Sequence, residues 1–338
     1  MRKPLFALFV LCLACTQLFA QDILKGFDLM PSSHKVSNSL YNRIRYIDSR
    51  TDDTSIGVVG VGLLRNTPVK LVFARSFAEQ LANLLNVLTD ATAKNGELLF
   101  QLERFHFIET YGTRSCYLQA DLYASTDGRY KRIASLDTVF LIRASDIKAA
   151  IIEDASRVIS EFVAYNLFNS GTSSESYSLD EVAHMDSLEM QKMPVYQSEN
   201  YVDGLYLSYE SFVKQKPDGQ GAVNADRSGN VLNIKTLHNA GKQTIIYPKD
   251  MYAVVYKGVP FVATDYGYYR LQQTANNSFL FTGDIKVTGN STETSDGQPS
   301  FGVLGDPSSS GTQATYVVLI NYRNGKFIHL KKVENSNQ

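Results

Sequence analysis

Nine consecutive residues, 116–124, alternate in character without a break. Cys116, Leu118, Ala120, Leu122 and Ala124 take one phase, and Tyr117, Gln119, Asp121 and Tyr123 take the other. Successive side chains of a strand point to opposite faces, so a period of two specifies a strand with an apolar face on a core and a polar face toward water. A helix would scatter the same residues around its circumference. Such a strand needs partner strands beside it and a second layer over its apolar face.

The flanking sequence supplies both. Ile56 to Leu64 is a β-prone run ending at Asn66-Thr67-Pro68, and Val69 to Phe73 is another. Ser76-Phe77-Ala78-Glu79 has the form of a helix capping box, and Phe77, Leu81, Leu84, Leu85 and Leu88 follow at helical spacing. Leu98 to Ile108 reads as a strand whose apolar phase switches between Leu102 and Phe105, which predicts a bulge. Asp127-Gly128 turns the chain into Tyr130 to Ile142. Ser145 then caps a helix with Ile147, Ile151, Val158, Ile159, Phe162 and Val163 on one face. The order strand, helix, three strands, helix predicts an α+β sandwich over 56–168, an antiparallel sheet with two packed helices. A hairpin turning about Gly112-Thr113 sets Arg104 opposite Asp121 as an ion pair on the solvated face. His106 falls opposite Phe105 and Phe107 in phase, which directs it to solvent.

With 338 residues, the chain has room for a second domain. Residues 1–20 have the layout of a secretory signal peptide: basic Met1-Arg2-Lys3, an apolar run from Leu5 to Cys15, and Leu18-Phe19-Ala20 before a cut at Gln21. Leu13-Ala14-Cys15 is similar to a lipoprotein box, but Cys12 stands where Leu is wanted, so cleavage after Ala20 is preferred to lipidation at Cys15. Cleavage removes two of the three cysteines and leaves Cys116 alone, on the apolar phase of its strand. Residues 21–55 show no period and read as a lead-in. Residues 169–200 are polar and Ser-rich and read as a connector, with a short helix near Asp180 to Lys192. From Tyr201 to about 334 the pattern is mostly β, with turns at Lys257-Gly258, Tyr266-Gly267, Asn276-Asn277 and Asn324-Gly325, and a polar loop at 289–313. The expected fold class is therefore α+β: the N-terminal sheet with two packed helices, followed by a mostly-β C-terminal domain.

Composition excludes several functions. Lys and Arg number 33 against 34 Asp and Glu, so there is no basic footprint for nucleic acid. Three cysteines are too few for a disulfide framework or a four-thiolate zinc site. Gly57, Gly60 and Gly62 are spaced G-x-x-G-x-G with no helix start after them, and read as strand glycines that admit a close neighbour. The five histidines (His34, His106, His184, His238 and His329) are scattered and form no ligand motif. Gly112-Thr113-Arg114-Ser115-Cys116 is not a nucleophile elbow, because it lies between strands and turns the thiol into the core. Neither a catalytic constellation, a cofactor motif nor a metal site follows.

Tyrosine is the conspicuous residue, with 20 in the chain and no Trp. Tyr252, Tyr256, Tyr266, Tyr268 and Tyr269, with Phe301 in the 289–313 loop, are the candidate binding residues, since exposed Tyr offers contact area at low entropic cost. The alternative is that these rings fill a core that lacks Trp.

Tyr201 to Phe212 with Pro217, Asp250 to Phe261 running on to Tyr269, and Phe279 to Gly283 resemble segments of an uncharacterised family of secreted or envelope proteins of Bacteroidetes-type bacteria. Gly96 to Leu99 and Cys116 to Tyr123 look like that family's first domain. The resemblance implies no activity and no functional residues. In layout alone the N-terminal half is also similar to periplasmic auxiliary lipoproteins of lipid-trafficking ABC transporters. The expectation is an exported, non-catalytic envelope protein that binds a protein or glycan partner. An exported hydrolase with a dispersed site, or an auxiliary subunit of an envelope transport system, is the alternative.

Overall fold

The alternating strand lies inside a seven-stranded sheet. The structure, a computed structural model, describes residues 24–31, 35–61, 67–110, 113–143, 150–236, 244–287 and 312–333. The expected leader 1–20 with Cys15, Gly62, Ser145, and Phe301 with most of its loop lie outside the described residues.

The strands of this sheet are β1 (Leu24–Phe27), β2 (Tyr41–Asp48), β3 (Gly57–Val61), β4 (Thr67–Phe73), β5 (Gly96–Thr110), β6 (Thr113–Thr126) and β7 (Arg129–Arg143). β5, β6 and β7 form the expected antiparallel meander. The sheet as a whole is mixed, which corrects the antiparallel expectation: β2 and β3 lie along one edge of β5 and run parallel to it, and β1 runs parallel to β4. Parallel neighbours need a long crossover, and the chain from β2 to β5 contains two strands and a helix, which provide one. The segment read as a lead-in thus carries β1 and β2. Its period was hidden because β2 serves two cores, with Ile44 and Tyr46 on one and Ile47 on the other.

Gly57 has φ +121°, and a Cβ there would lie 2.0 Å from the Phe107 carbonyl oxygen, so β3 can meet β5 only with glycine at that position.

Two helices, α1 (Phe77–Leu88) and α2 (Ala150–Tyr165), cover one face of the sheet. Leu81, Leu84, Leu85 and Leu88 of α1, with Ile151, Ile159 and Val163 of α2, share a core with Leu98, Phe100, Leu102 and Cys116. Each fully buried side chain of this size contributes roughly 1.5–3 kcal/mol. The capping box expected at Ser76 and Glu79 does not form, since the Ser76 side chain accepts no cap hydrogen bond. Gln80, one turn into α1, takes the organising role. Its Oε1 accepts from the Leu29 amide at 2.8 Å, and its Nε2 donates to the Phe27 carbonyl at 3.2 Å, tying α1 to β1.

The opposite face is not solvated. Tyr117, Gln119, Asp121 and Tyr123 are 2%, 3%, 0% and 0% exposed, which corrects the half-buried reading of the strand. The connector folds as α3 (Leu179–Ala183), α4 (Met185–Met190) and α5 (Pro194–Gln197), and α3 opens on a true capping box between Ser178 and Glu181. Val182 and Met185 pack on Leu99 and Tyr123 of the sheet, whereas Met190, Val195 and Tyr196 belong to the core of the C-terminal half.

That half begins with β8 (Gly204–Tyr206) and α6 (Tyr209–Val213). Three antiparallel sheets follow. The first has β9 (Gly221–Ala225), β10 (Val231–Thr236) and β11 (Ile245–Ile246). The second sets β12 (Ala253–Tyr256), β13 (Val259–Thr264) and β14 (Gly267–Arg270) beside β8. The third has β15 (Gln272–Gln273), β16 (Phe279–Val287), β17 (Thr312–Ile320) and β18 (Phe327–Lys332). In this last sheet Phe281, Val318 and Ile320 face the C-terminal core. Leu280, Leu319 and Ile328, which pair across the strands, take the other phase.

Candidate functional site

A bulge creates the chemistry of the buried polar face. Leu102 pairs with Ala120 and Arg104 with Gln119, so Glu103 is the extra residue of β5 at the predicted phase switch. The insertion sets Glu103 and Arg104, adjacent in sequence, on the same side of the sheet as Gln119 and Asp121. It also corrects the expected pairing, because Asp121 stands opposite Gln101 rather than Arg104. The β5–β6 ladder closes at Thr110 and Thr113, one residue earlier along the chain than a turn about Gly112-Thr113 would close it, and so shifts the register.

Asp121 pairs instead with a residue from the far end of the chain. The tight connection between β17 and β18 carries Tyr322-Arg323-Asn324-Gly325, and Gly325 adopts φ +75° where Tyr209 packs against it. Arg323 Nη1 and Nη2 donate to the two oxygens of Asp121 at 3.1 and 2.8 Å, and Nη2 also donates to Glu103 Oε1 at 2.6 Å. Its Nε donates to Glu189 Oε2 of α4 at 3.3 Å. Arg132 of β7 completes the cluster, pairing with Asp121 at 3.4 Å and donating to Glu189. Tyr322 Oη donates to Glu189 at 2.8 Å, while Asn321 and Asn324 donate to Asp137 at 2.9 and 2.7 Å. Sheet, connector and C-terminal half are therefore joined through one buried ionic network.

Burial by itself would push the Asp121 carboxyl up, but the hydrogen bonds and charge of Arg323, with Arg132, outweigh it and hold the group below the usual carboxylate range. Burial also opposes the charge on both guanidiniums, and the surrounding carboxylates more than compensate. Glu103 responds differently. Its removal from water, reinforced by the Asp121 charge, pushes it up to about 8 against the pull of Arg323.

Beside the network runs a cleft of about 490 Å³ between the two halves. Glu103, Arg104, His106 and Gln119 line its polar wall, and Leu280, Leu319, Ile328 and Leu330 line the facing apolar wall. Arg104 also lines a smaller cavity of about 150 Å³ toward Asp137 and Tyr252, so it stands between the two spaces. His106, expected in solvent, lies against this cleft, and burial with the nearby Arg104 charge lowers its pKa. His329 is pushed down to about 4 by burial and sits against Tyr117 and Tyr316. Cys116 is buried on the helix face, where desolvation pushes its thiol up, away from the reactive thiolate.

The tyrosines expected to bind do not share one surface. Tyr252 and Tyr269 pack on one C-terminal core, and Tyr256 and Tyr268 on another. Tyr252 Oη donates to the Gly325 carbonyl at 3.0 Å and Tyr268 Oη to the Ile246 carbonyl at 3.2 Å. Tyr269 stacks on Phe281 with ring centroids 5.9 Å apart, Lys257 lies over the ring of Tyr256, and Tyr266 is 36% exposed. Most of this tyrosine content does the packing that Trp does in other cores. Among the described residues no group of His, Cys, Asp and Glu could hold a metal ion, and no helix is long and apolar enough to cross a membrane.

No protein-family model and no curated protein matches the chain. Among solved structures it is similar to the crystal structure of protein XCC0632 from Xanthomonas campestris, family-model DUF330, at 15% identity over 43% of this chain and 94% of that one, with a TM-score of 0.28. It is also similar to the crystal structure of an uncharacterized protein, at 12% identity over 40% of this chain and 98% of that one, with a TM-score of 0.24. Both likenesses are distant.

Proposed function

We propose that the protein is an exported, non-catalytic binding protein of the cell envelope, and that its ligand occupies the cleft between the two halves. The observation that carries this reading is the cleft itself. Its volume of about 490 Å³ falls within the roughly 300–1,000 Å³ typical of ligand sites, and its walls are of opposite character. The buried network around Arg323 sets the spacing of those walls without any ligand, which reduces the ordering cost of binding. Export is supported by the basic and apolar layout of residues 1–20, and an envelope role by the resemblance to secreted proteins of Bacteroidetes-type bacteria. An envelope protein or glycan, the partner class expected from the tyrosine-rich segment, would reach Tyr266 but not the buried Tyr268.

A hydrolase with a dispersed site is the second reading, drawing on Glu103 as an acid protonated at neutral pH beside His106. Both Glu103 oxygens are already engaged, by Arg323 and by Gln119, which favours binding over proton transfer. The test is a Leu280→Trp variant, which fills the cleft away from the Arg323 network. Wild-type protein taken from its native envelope fraction is expected to release a bound molecule on denaturation, detected by mass spectrometry, that the variant lacks. Equal loads on both proteins, an empty wild type included, or recovery of the chain in the cytosol, would overturn the reading.

A further inference from the structure

We infer that the cleft takes an organic monoanion with an apolar body, and that Arg104 binds its negative charge. This rests on the cleft being the ligand site. The charged residues that line the cleft are Arg50, Asp52, Glu103, Arg104 and Asp186. Arg50 pairs with Asp48 at 2.7 Å, and Asp52 accepts from Thr54. Glu103 is held by Arg323 and Gln119, and Asp186 is exposed and accepts from the Ser187 amide. Arg104 differs from all of these. Its Nε is buried with no hydrogen-bond partner, and its guanidinium makes no hydrogen bond or ion pair among the described residues.

A buried Nε–H without an acceptor is disfavoured, and native chains rarely keep one without a use for it. The groups that face it do not answer the need. The Glu103 and Asp137 carboxyls influence Arg104 through space, as do the Tyr117 and Tyr322 hydroxyls. Yet Asp137 accepts from Asn321 and Asn324, Tyr322 donates to Glu189, and Tyr117 contacts the His329 amide. The vacant fork of donors matches a carboxylate, which guanidinium binds with two parallel hydrogen bonds. Only one negative charge is called for, because the neighbouring cations Arg50, Arg132 and Arg323 already have acidic partners. Opposite Arg104, Leu280, Leu319, Ile328 and Leu330 offer an apolar wall that a small inorganic anion would leave uncovered.

The test is calorimetric titration at neutral pH of the full-length mature protein with decanoate and with decanol, an uncharged probe of the same length. Wild type is expected to bind decanoate about tenfold to hundredfold tighter than decanol, the span of one charge-assisted contact. Arg104→Met keeps the apolar stem and removes the charge. It is expected to erase the preference for decanoate, leave decanol binding unchanged, and raise the urea midpoint, because a buried Nε–H without an acceptor is gone. If Arg104→Met binds decanoate like wild type, or unfolds at markedly lower urea, Arg104 is a structural residue and the inference fails. Equal binding of both probes to wild type, blocked by Leu280→Trp, removes the anion assignment and leaves the cleft as the site. Failure of both probes to bind, or binding that Leu280→Trp does not block, removes the inference and the cleft reading together.

Discussion

Glu103 carries the most demanding prediction, because its environment ties folding to pH. Its carboxyl rises from the ordinary 4.5 to about 8 through desolvation and the neighbouring Asp121 charge. An acid with a raised folded pKa keeps its proton in the native state after the unfolded chain has released its own. Folding therefore takes up a proton between about pH 4.5 and 8, so the stability from protonated Glu103 is complete below that window and lost above it. At about 1.4 kcal/mol per unit, the rise from 4.5 to about 8 sets an upper bound of roughly 5 kcal/mol on the loss. Glu103→Gln mimics the protonated acid, with the amide oxygen accepting from Arg323 and the amide nitrogen donating to Gln119 turned over. Urea denaturation of wild type and variant at half-unit steps from pH 4.5 to 9 measures the effect as a difference. Buried His329, whose pKa is pushed down to about 4, contributes equally to both proteins and cancels. The two proteins are expected to match near pH 4.5, with Glu103→Gln increasingly the more stable by up to a few kcal/mol at pH 8 and above. A difference that stays flat with pH, or a variant that is less stable at pH 8, would refute the reasoning and mean that Glu103 is ionised in its pair with Arg323.

Three further outcomes follow from the packing. Arg323→Met removes the cation shared by buried Asp121 and Glu103, leaving Arg132 alone to serve Asp121 and Glu189, and is expected to lower stability by about 3–5 kcal/mol in urea; a loss under about 1 kcal/mol would mean that the network is replaceable. Gly57→Ala brings a Cβ against the Phe107 backbone at a φ of +121° and should destabilise by at least about 2 kcal/mol, whereas an effect within about 0.5 kcal/mol would show that β3 can shift away from β5. In protein beginning at Gln21, Cys116 should resist a thiol reagent in native buffer and react fully in guanidinium, and rapid native labelling would contradict its place in the helix-side core.

Much of the N-terminal half was legible in the sequence. The period of two from Cys116 to Ala124, the helical spacing of Phe77 to Leu88 and the phase switch near Leu102 are local patterns, and each became the expected element. The bulge was the one trace of the site that sequence contained, since it is what brings Glu103 and Arg104 to one face. Arg323 left no trace, because a charged residue beside Asn324-Gly325 reads as an ordinary surface turn. The parallel edge strands were equally hidden, as β2 divides its apolar residues between two cores.

The alternating strand shows where the two kinds of information separate. Its sequence alone determined that Cys116, Leu118, Ala120 and Leu122 enter a core and that Tyr117, Gln119, Asp121 and Tyr123 face the other way, because side-chain direction in a strand depends only on position along it. What the second face meets is a matter of distant chain. Arg323 lies 202 residues beyond Asp121, and only the fold brings it there, burying a face that the pattern assigned to water. Once that face is covered, each charge on it must find a partner, and the tertiary structure decided that Asp121 does and Arg104 does not.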